Sequence, residues 1–441
     1  MMFDKNELIG ITGAEVLKDN GKIGGYSVSI DTRTITVNDI YLPLKGETFD
    51  GENFIPKALE NGACAYFTTG NSVLDNADFV LKVADTKEAY LKIARYYRRK
   101  INPIVVGITG SAGKTTTKEM VYSVLNYKFK TQKTLSNHNN EIGFCQTVLS
   151  MDENTQMLIV EMGMRGLGEI ELISKHLEPD YAIITNCGSA HVGRLGSLDN
   201  IAIAKCEIAN GLKPDGIFIS LNQDIIKKHL IFQGEKIFYS LSDVKILESK
   251  PSYSKFVYMD NMYELNVEGD YNIENSLSAI NVGLKVGMTP KEIAEGLKTY
   301  RPIEKRWEEE EIKGLKFIND SYNANPESMK ASVKTFIELY KNPVVVLGDM
   351  GELGDDEIKY HFEVGKYLSG LGISNVKYIL VGNLISNAGK PLENKGIEVK
   401  YCTSNEDAAR YIVENFNGSY TIFLKASRAM KFEQILEKLK E

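Results

Sequence analysis

The sequence predicts an α/β protein of three domains, built on parallel sheets wound by helices. Three observations carry this expectation. Short apolar runs that end in small or polar residues recur: "PIVVGITG" (103–110), "TQMLIVEMG" (155–163), "DYAIITNCG" (180–188), "NPVVVLGDMGELG" (342–354), "VKYILVGN" (376–383) and "SYTIFLKASR" (419–428). Alternation of such runs with helical patterns is the signature of strands in a parallel sheet. The chain has 441 residues, too many for one core when domains hold roughly 100–200 residues each. Finally, two charged joints interrupt it. "RYYRRKINP" (95–103) is a basic helix end stopped by a proline, and "RPIEKRWEEEEIKG" (301–314) is a charge run around the only tryptophan. The expected domains are 1–100, 101–310 and 311–441.

In chain order, the first segment reads as a small α/β domain. "YSVSIDTRTITVNDIYLPLKG" (26–46) alternates like short strands, and "PKALENGACAYF" (56–67) reads as a helix followed by a strand. The central segment begins with "PIVVGITG", a strand running into a glycine loop, then a helical stretch, "KEMVYSVLNY" (118–127). The last segment repeats the strand-then-helix theme three times and reads as Rossmann-like. In such sheets ligands sit at the carboxyl ends of strands, which is where this sequence places its unusual residues.

Composition narrows the function. The formal net charge is -7, with 43% hydrophobic and 25% charged residues. A general nucleic-acid binder is usually basic, so that role is disfavoured. No run approaches the ~20 apolar residues that span a bilayer, so no membrane insertion is expected. The five cysteines are scattered and odd in number, which suits a reduced cytoplasm better than a disulfide framework.

The stretch "VGITGSAGKTTT" (106–117) is the sharpest feature. The common phosphate loop reads G-x-x-x-x-G-K-[ST]. Counting back from Gly113-Lys114-Thr115 puts Ile108 where the first glycine belongs, and glycines fall at 107 and 110 instead. The strand–loop–helix context still fits. Backbone amides of Gly110, Ser111, Ala112 and Gly113 at a helix start bind phosphate, and glycine lets the chain come close. Lys114 reaches the outer phosphates, and the Thr115 hydroxyl is suited to Mg²⁺.

Mg²⁺ prefers hard oxygen ligands and needs acidic help. Glu161 directly follows the strand "MLIV"; beside a phosphate loop it reads as that carboxylate rather than a solvated surface residue. His191 follows the strand "YAIIT" and its loop, where histidine is most often just polar. Lys205 comes fourteen positions later at helical spacing. Its ammonium repels a metal, so it joins a metal site only if neutralised or converted to a carbamate by CO₂; spacing alone argues little for that.

Taken together, these motifs resemble the Mur ligases, which build the peptide stem of the cell-wall precursor. Their phosphate loop is typically T-G-x-x-G-K-[ST]-[ST], with no glycine at the position of Ile108. "NHNNEIG" (137–143), "EMGM" (161–164), "TNCGSAHVGRLGS" (185–197), "AKCEI" (204–208), "GDYNIENSLSA" (269–279), "RPIEKRWE" (301–308), "NDSYNANPESM" (319–329), "LGDMGELG" (347–354) and "KASRAM" (425–430) follow in family order. The late motif is more often K-G-S-R; Ala426 replaces the glycine.

The resemblance implies an ATP- and Mg²⁺-dependent amide ligase. Specifically, "DSYNANPESM" and "LGDMGELG" resemble the member that joins D-alanyl-D-alanine to UDP-N-acetylmuramoyl-tripeptide through an acyl phosphate. It implies that Lys114, the loop amides and Thr116 hold phosphates. Thr115 and Glu161 would hold one Mg²⁺, and His191 with a carbamylated Lys205 a second. Asn272, Arg306, Asp320 and Asn325 would contact nucleotide. Thr32, Arg33, Lys45, Gly46 and Asp50 would grip the UDP end of the precursor, with Asn139 and Asn140 also on the substrate. His361, Ser427 and Arg428 would face the substrates from the last domain. Sites drawn from all three segments of a monomer imply closure of the last domain over the others. The rivals are another ligase of the superfamily, one that adds the third residue or one that adds glutamate to a folate, and a nucleotide-binding switch. The D-N-P-R motif of the third-residue ligases is not found.

Overall fold

A computed structural model describes residues 2–22, 24–46, 48–135, 138–303, 305–373 and 375–441. Asn137, the first residue of "NHNNEIG", lies outside them. The first sheet holds β1 (Glu15–Asp19), β2 (Ser27–Ser29), β3 (Asp39–Tyr41), β4 (Ala65–Thr68) and β5 (Phe79–Lys82), in the order β1-β5-β4-β3-β2. Only β1 runs antiparallel to its neighbour. Within the alternating stretch 26–46 only two three-residue strands form, and 30–38 is loop. The Thr86–Ile101 helix ends on Asn102 in the left-handed conformation, just before Pro103. Arg98 in its last turn is buried, and its guanidinium donates to the carbonyls of Leu177 (2.7 Å) and Glu178 (2.8 Å). That helix buries Tyr90, Ile93, Ala94 and Tyr97 in one apolar core with Phe144, Leu158 and Val160 of the next segment.

The central sheet holds β6 (Ile104–Thr109), β7 (Thr131–Lys133), β8 (Met157–Glu161), β9 (Tyr181–Ile184), β10 (Ile217–Leu221) and β11 (Glu235–Tyr239). Their order is β11-β10-β9-β6-β8-β7, with every pairing parallel. The chain moves to one side of β6 for β7 and β8 and to the other for β9 to β11. The crevice where it switches lies over the end of β6, which is where such sheets bind ligands.

A three-stranded antiparallel sheet follows: β12 (Val244–Lys250), β13 (Tyr253–Tyr258) and β14 (Asn261–Leu265). Sequence reading had missed it. β13 alternates half-buried and buried residues, and Met259 and Asp260 both turn with positive φ (47° and 58°), as a two-residue hairpin loop requires.

The last sheet holds β15 (Glu308–Ile312), β16 (Leu315–Asn319), β17 (Pro343–Gly348), β18 (Lys377–Val381), β19 (Val399–Cys402) and β20 (Thr421–Lys425), in the order β15-β16-β20-β17-β18-β19. All pairs are parallel except β15 with β16. The glutamate run expected only as a joint is therefore also an edge strand, where charge discourages pairing with other chains. No helix among the described residues is long and apolar enough to cross a membrane.

Candidate active site

The glycine loop leaves β6 and enters the Lys114–Asn126 helix. Ile108 stands inside β6, wholly buried against the core; the glycines are needed further on. Gly110 has φ 155°, and a Cβ there would lie 1.8 Å from Thr185 Oγ1. Gly113 has φ 77°, and a Cβ there would meet Asn275 Oδ1 at 2.5 Å. Thr185 and Asn186 follow β9 and brace the loop. Thr185 Oγ1 donates to the Ala112 carbonyl (2.6 Å), and Asn186 Oδ1 accepts from the Ala112 amide (2.9 Å).

Lys114 folds back to donate to the Gly110 carbonyl (2.8 Å). Arg306 arrives from the second joint, donates to Thr115 Oγ1 (3.1 Å) and stacks on Tyr322 at 4.1 Å. Its Nε is buried without a partner among the described residues. Desolvation, the largest influence, pushes the Lys114 ammonium below its ordinary pKa; Glu161 opposes this and Arg306 adds to it. Two cations thus converge on a helix start, an arrangement that favours polyanions.

Glu161 ends β8 at 3% exposure. Asn139 Nδ2 donates to its Oε1 (3.2 Å), and the buried Lys118 ammonium stands 3.5 Å from its Oε2, which has no hydrogen-bond partner. A carboxylate oxygen without a hydrogen-bond partner, on the same cavity wall as Thr115, fits Mg²⁺, which is usually held by one or two carboxylates plus substrate phosphates. No three His, Cys, Asp or Glu side chains converge on a metal position among the described residues. A second Mg²⁺ would therefore need a further anion.

His191 has a left-handed backbone, φ 67°, and lines the cavity. Its Nδ1 lies 2.5 Å from Glu352 Oε2, and this contact is the chief reason the Glu352 carboxylate is held down at about 2. Lys205, on the Leu198–Cys206 helix, is 1% exposed and does not line the cavity. Burial, with help from the charge of Lys114, pulls its pKa from 10.5 down to about 7.

The phosphate loop, Glu161 and His191 open into one cavity of about 1470 Å³ whose walls come from all three segments of the chain. Thr116, Asn272, Asp320 and Asn325 line it, as do Lys45, Gly46, Asn139 and Asn140. Several of these already have partners. Asn272 donates to the Glu268 carbonyl (2.7 Å), and Asp320 pairs with Lys425 (2.5 Å). Asn140 caps the Glu141–Leu149 helix, and Asn325 both caps the Pro326–Leu339 helix and donates to the Ser111 carbonyl (3.2 Å).

Other expected substrate residues lie off the cavity wall. Thr32, Arg33, Asp50, Ser427 and Arg428 do not line it. Arg33 is turned onto Asp31 (2.7 Å), Asp50 caps its own turn, and Arg428 pairs with Glu433 (2.8 Å). The Ser427 amide donates to the Asp349 carbonyl (3.0 Å). His361 corrects the expectation that it faces substrate. Its ring is wholly buried, Nε2 accepts from the Met350 amide (2.9 Å), and Nδ1 meets the Glu357 carbonyl (2.7 Å). It shapes the loop after β17 instead. Sequence reading had not singled out Asn186, Glu327 and Glu352, although all three lie inside the motifs quoted above.

Family models cover most of the chain: "Mur ligase family, catalytic domain" at residues 26–103, "Mur ligase middle domain" at 108–283, and "Mur ligase, glutamate ligase domain" at 305–428. The UDP-N-acetylmuramoyl-tripeptide–D-alanyl-D-alanine ligase of Bacillus subtilis (strain 168) is 37% identical over 430 residues, covering 94% of this chain and 93% of its own length. The chain belongs to the Mur ligase family. The ligase of the same description from Escherichia coli (strain K12) is 28% identical, with 96% of each chain covered. Among solved structures, this Mur ligase is similar to MurF from Acinetobacter baumannii (TM-score 0.89, 27% identity, 100% and 99% covered). It also resembles MurF from Thermotoga maritima in complex with ADP (TM-score 0.82, 25% identity, 94% and 97% covered).

Proposed function

We propose that this Mur ligase joins D-alanyl-D-alanine to UDP-N-acetylmuramoyl-tripeptide, converting ATP to ADP and phosphate, in the making of peptidoglycan precursor. One observation carries the reading. The phosphate loop, with Lys114 and Arg306 at Thr115, opens into the same cavity as Lys45 of the first segment and Asp320 of the last. On this reading residues 1–100 grip the UDP-sugar, 101–310 bind ATP, and 311–441 close the site.

A free carboxylate is a poor electrophile, so phosphorylation supplies the leaving group. The terminal carboxylate oxygen of the tripeptide attacks the γ-phosphorus and ADP departs. The amine of the dipeptide then attacks the acyl carbon, phosphate leaves, and the amine gives up a proton. Lys114, Arg306 and the loop amides hold the phosphates and offset their charge; catalysis is mostly positioning and electrostatics. Thr115 and Glu161 would hold Mg²⁺, which supplies further charge neutralisation when bound. His191 and Lys205 would hold a second ion once the neutral amine of Lys205 has captured CO₂ as a carbamate.

The cavity draws on a single chain, so a monomer suffices. Five free cysteines and ATP as substrate support a cytoplasmic reaction. The test is phosphate release from ATP with each UDP-muramoyl peptide, with and without D-alanyl-D-alanine. Release should require the tripeptide and the dipeptide together. Release driven by glutamate without any UDP precursor would overturn the reading.

A further inference from the structure

The last segment meets the central one at several points, among them Glu352, whose carbonyl accepts from the Gly193 amide (3.1 Å), and the first turn of the Pro326–Leu339 helix. Glu327, in that turn, lines the cavity and reaches the loop after β9. Its Oε1 accepts from the Ser189 amide (2.9 Å) and from Ser189 Oγ (2.9 Å), and its Oε2 lies 3.1 Å from the same hydroxyl. Ser189 is 3% exposed, so its N–H depends on this carboxylate. A buried donor left without an acceptor is costly. Gly188 packs directly beneath: a Cβ there would stand 2.6 Å from Glu327 Cδ. Gly188 also exchanges two bonds with the phosphate loop. Ser111 Oγ donates to its carbonyl (3.0 Å), and its amide donates to Ser111 Oγ (2.9 Å). The same loop carries Asn186 at one end, on the Ala112 amide, and His191 at the other.

Bonded or adjacent groups therefore run from Glu327 through Ser189 and Gly188 to Ser111. We propose that Glu327 is a positioning residue for the ligation, a clasp through which docking of the last domain sets the 186–191 loop and, through it, the phosphate loop. Its carboxylate reaches Ser189 only when the last segment sits on the central one, so docking and loop geometry are a single event. The proposal rests on the ligase reading for its kinetic consequence and on the contacts alone for its structural one.

The experiment uses the full chain with Glu327→Ala, Glu327→Gln, Gly188→Ala, Ser189→Ala and the Glu327→Ala/Ser189→Ala pair. Ligation kinetics, MgADP affinity, melting temperature and radius of gyration with MgADP and UDP precursor are measured. Glu327→Ala should lower kcat by about 10-fold or more, the scale of one charge-assisted hydrogen bond. MgADP affinity should fall by less than kcat does, since the variant keeps every loop amide and loses only part of their setting. Glutamine, which can accept from the amide and donate to the hydroxyl, should restore most of the rate. Gly188→Ala, which pushes the carboxylate aside without removing it, should reproduce the loss. The double variant should be no slower than Glu327→Ala alone, because both changes break one link. Full activity in Glu327→Ala overturns the proposal. So do additive losses in the double variant, which would mean that Glu327 touches substrate, and a rate loss matched by melting that glutamine does not rescue. Should no variant, nor the parent, ligate the dipeptide, the ligase reading fails instead. The clasp is then judged by scattering: the liganded parent should be more compact than liganded Glu327→Ala, and equal radii would reject it.

Discussion

Lys205 offers the most quantitative test. At pH 7 a lysine with its ordinary value of 10.5 is neutral about three times in ten thousand; at about 7 it is neutral half the time. The buried pocket thus raises the reactive free amine roughly 1000-fold, which is what capture of CO₂ requires. The same pocket carries a cost. The native value lies below the unfolded one, so the ammonium is disfavoured by up to about 5 kcal/mol in the native state. Below pH 7 both states hold the proton and the native state bears the whole penalty. From pH 7 to 10.5 only the unfolded chain holds it, so stability rises with pH by about 1.4 kcal/mol per unit. Lys205→Met removes the titrating group while filling a similar volume. In bicarbonate-free buffer the variant should melt well above the parent at pH 6.5, and the gap should shrink steadily towards pH 9.5. Ligation should be lost, and a ¹³C carbamate signal from labelled bicarbonate should appear in the parent only. A melting gap independent of pH would refute the buried-amine argument, and a variant that ligates at the parent rate would refute the carbamate.

Two further outcomes follow from single contacts. Gly110→Ala places a methyl 1.8 Å from Thr185 Oγ1, so the loop or Thr185 must move; MgADP affinity by calorimetry should fall roughly 100-fold, the worth of two or three loop hydrogen bonds. Unchanged affinity would separate this loop from the nucleotide site. His361 is held below its ordinary 6.5 chiefly by burial, so its unfolded form takes up a proton before the native form does. Stability should therefore drop as pH falls below 6.5, and His361→Leu should lose that slope while costing about 1–3 kcal/mol at pH 8 through the unsatisfied Met350 amide. Denaturation midpoints across pH 5–8 decide it; an identical slope in the variant would rule out His361 as the source.

Much of this protein was legible in its residue order. Strand ends announce themselves as apolar runs followed by glycine, so the phosphate loop, Glu161 and the strand-helix alternation were all readable, because these depend on neighbours in sequence. The antiparallel sheet of β12 to β14 was missed because exposed apolar residues such as Ile246, Leu247 and Met262 break its alternation, and 30–38 was over-read because alternation alone does not supply a pairing partner. Long-range consequences were out of reach. No pattern says that Lys205 is sealed from water, that His361 spends both nitrogens on backbone, or that Glu327 crosses to Ser189. Local sequence determined which groups could bind phosphate and where chain turns allow it. Tertiary packing alone decided which charges are buried, which are already paired and which face the shared cavity, because desolvation and partner choice are set by residues far away in the chain.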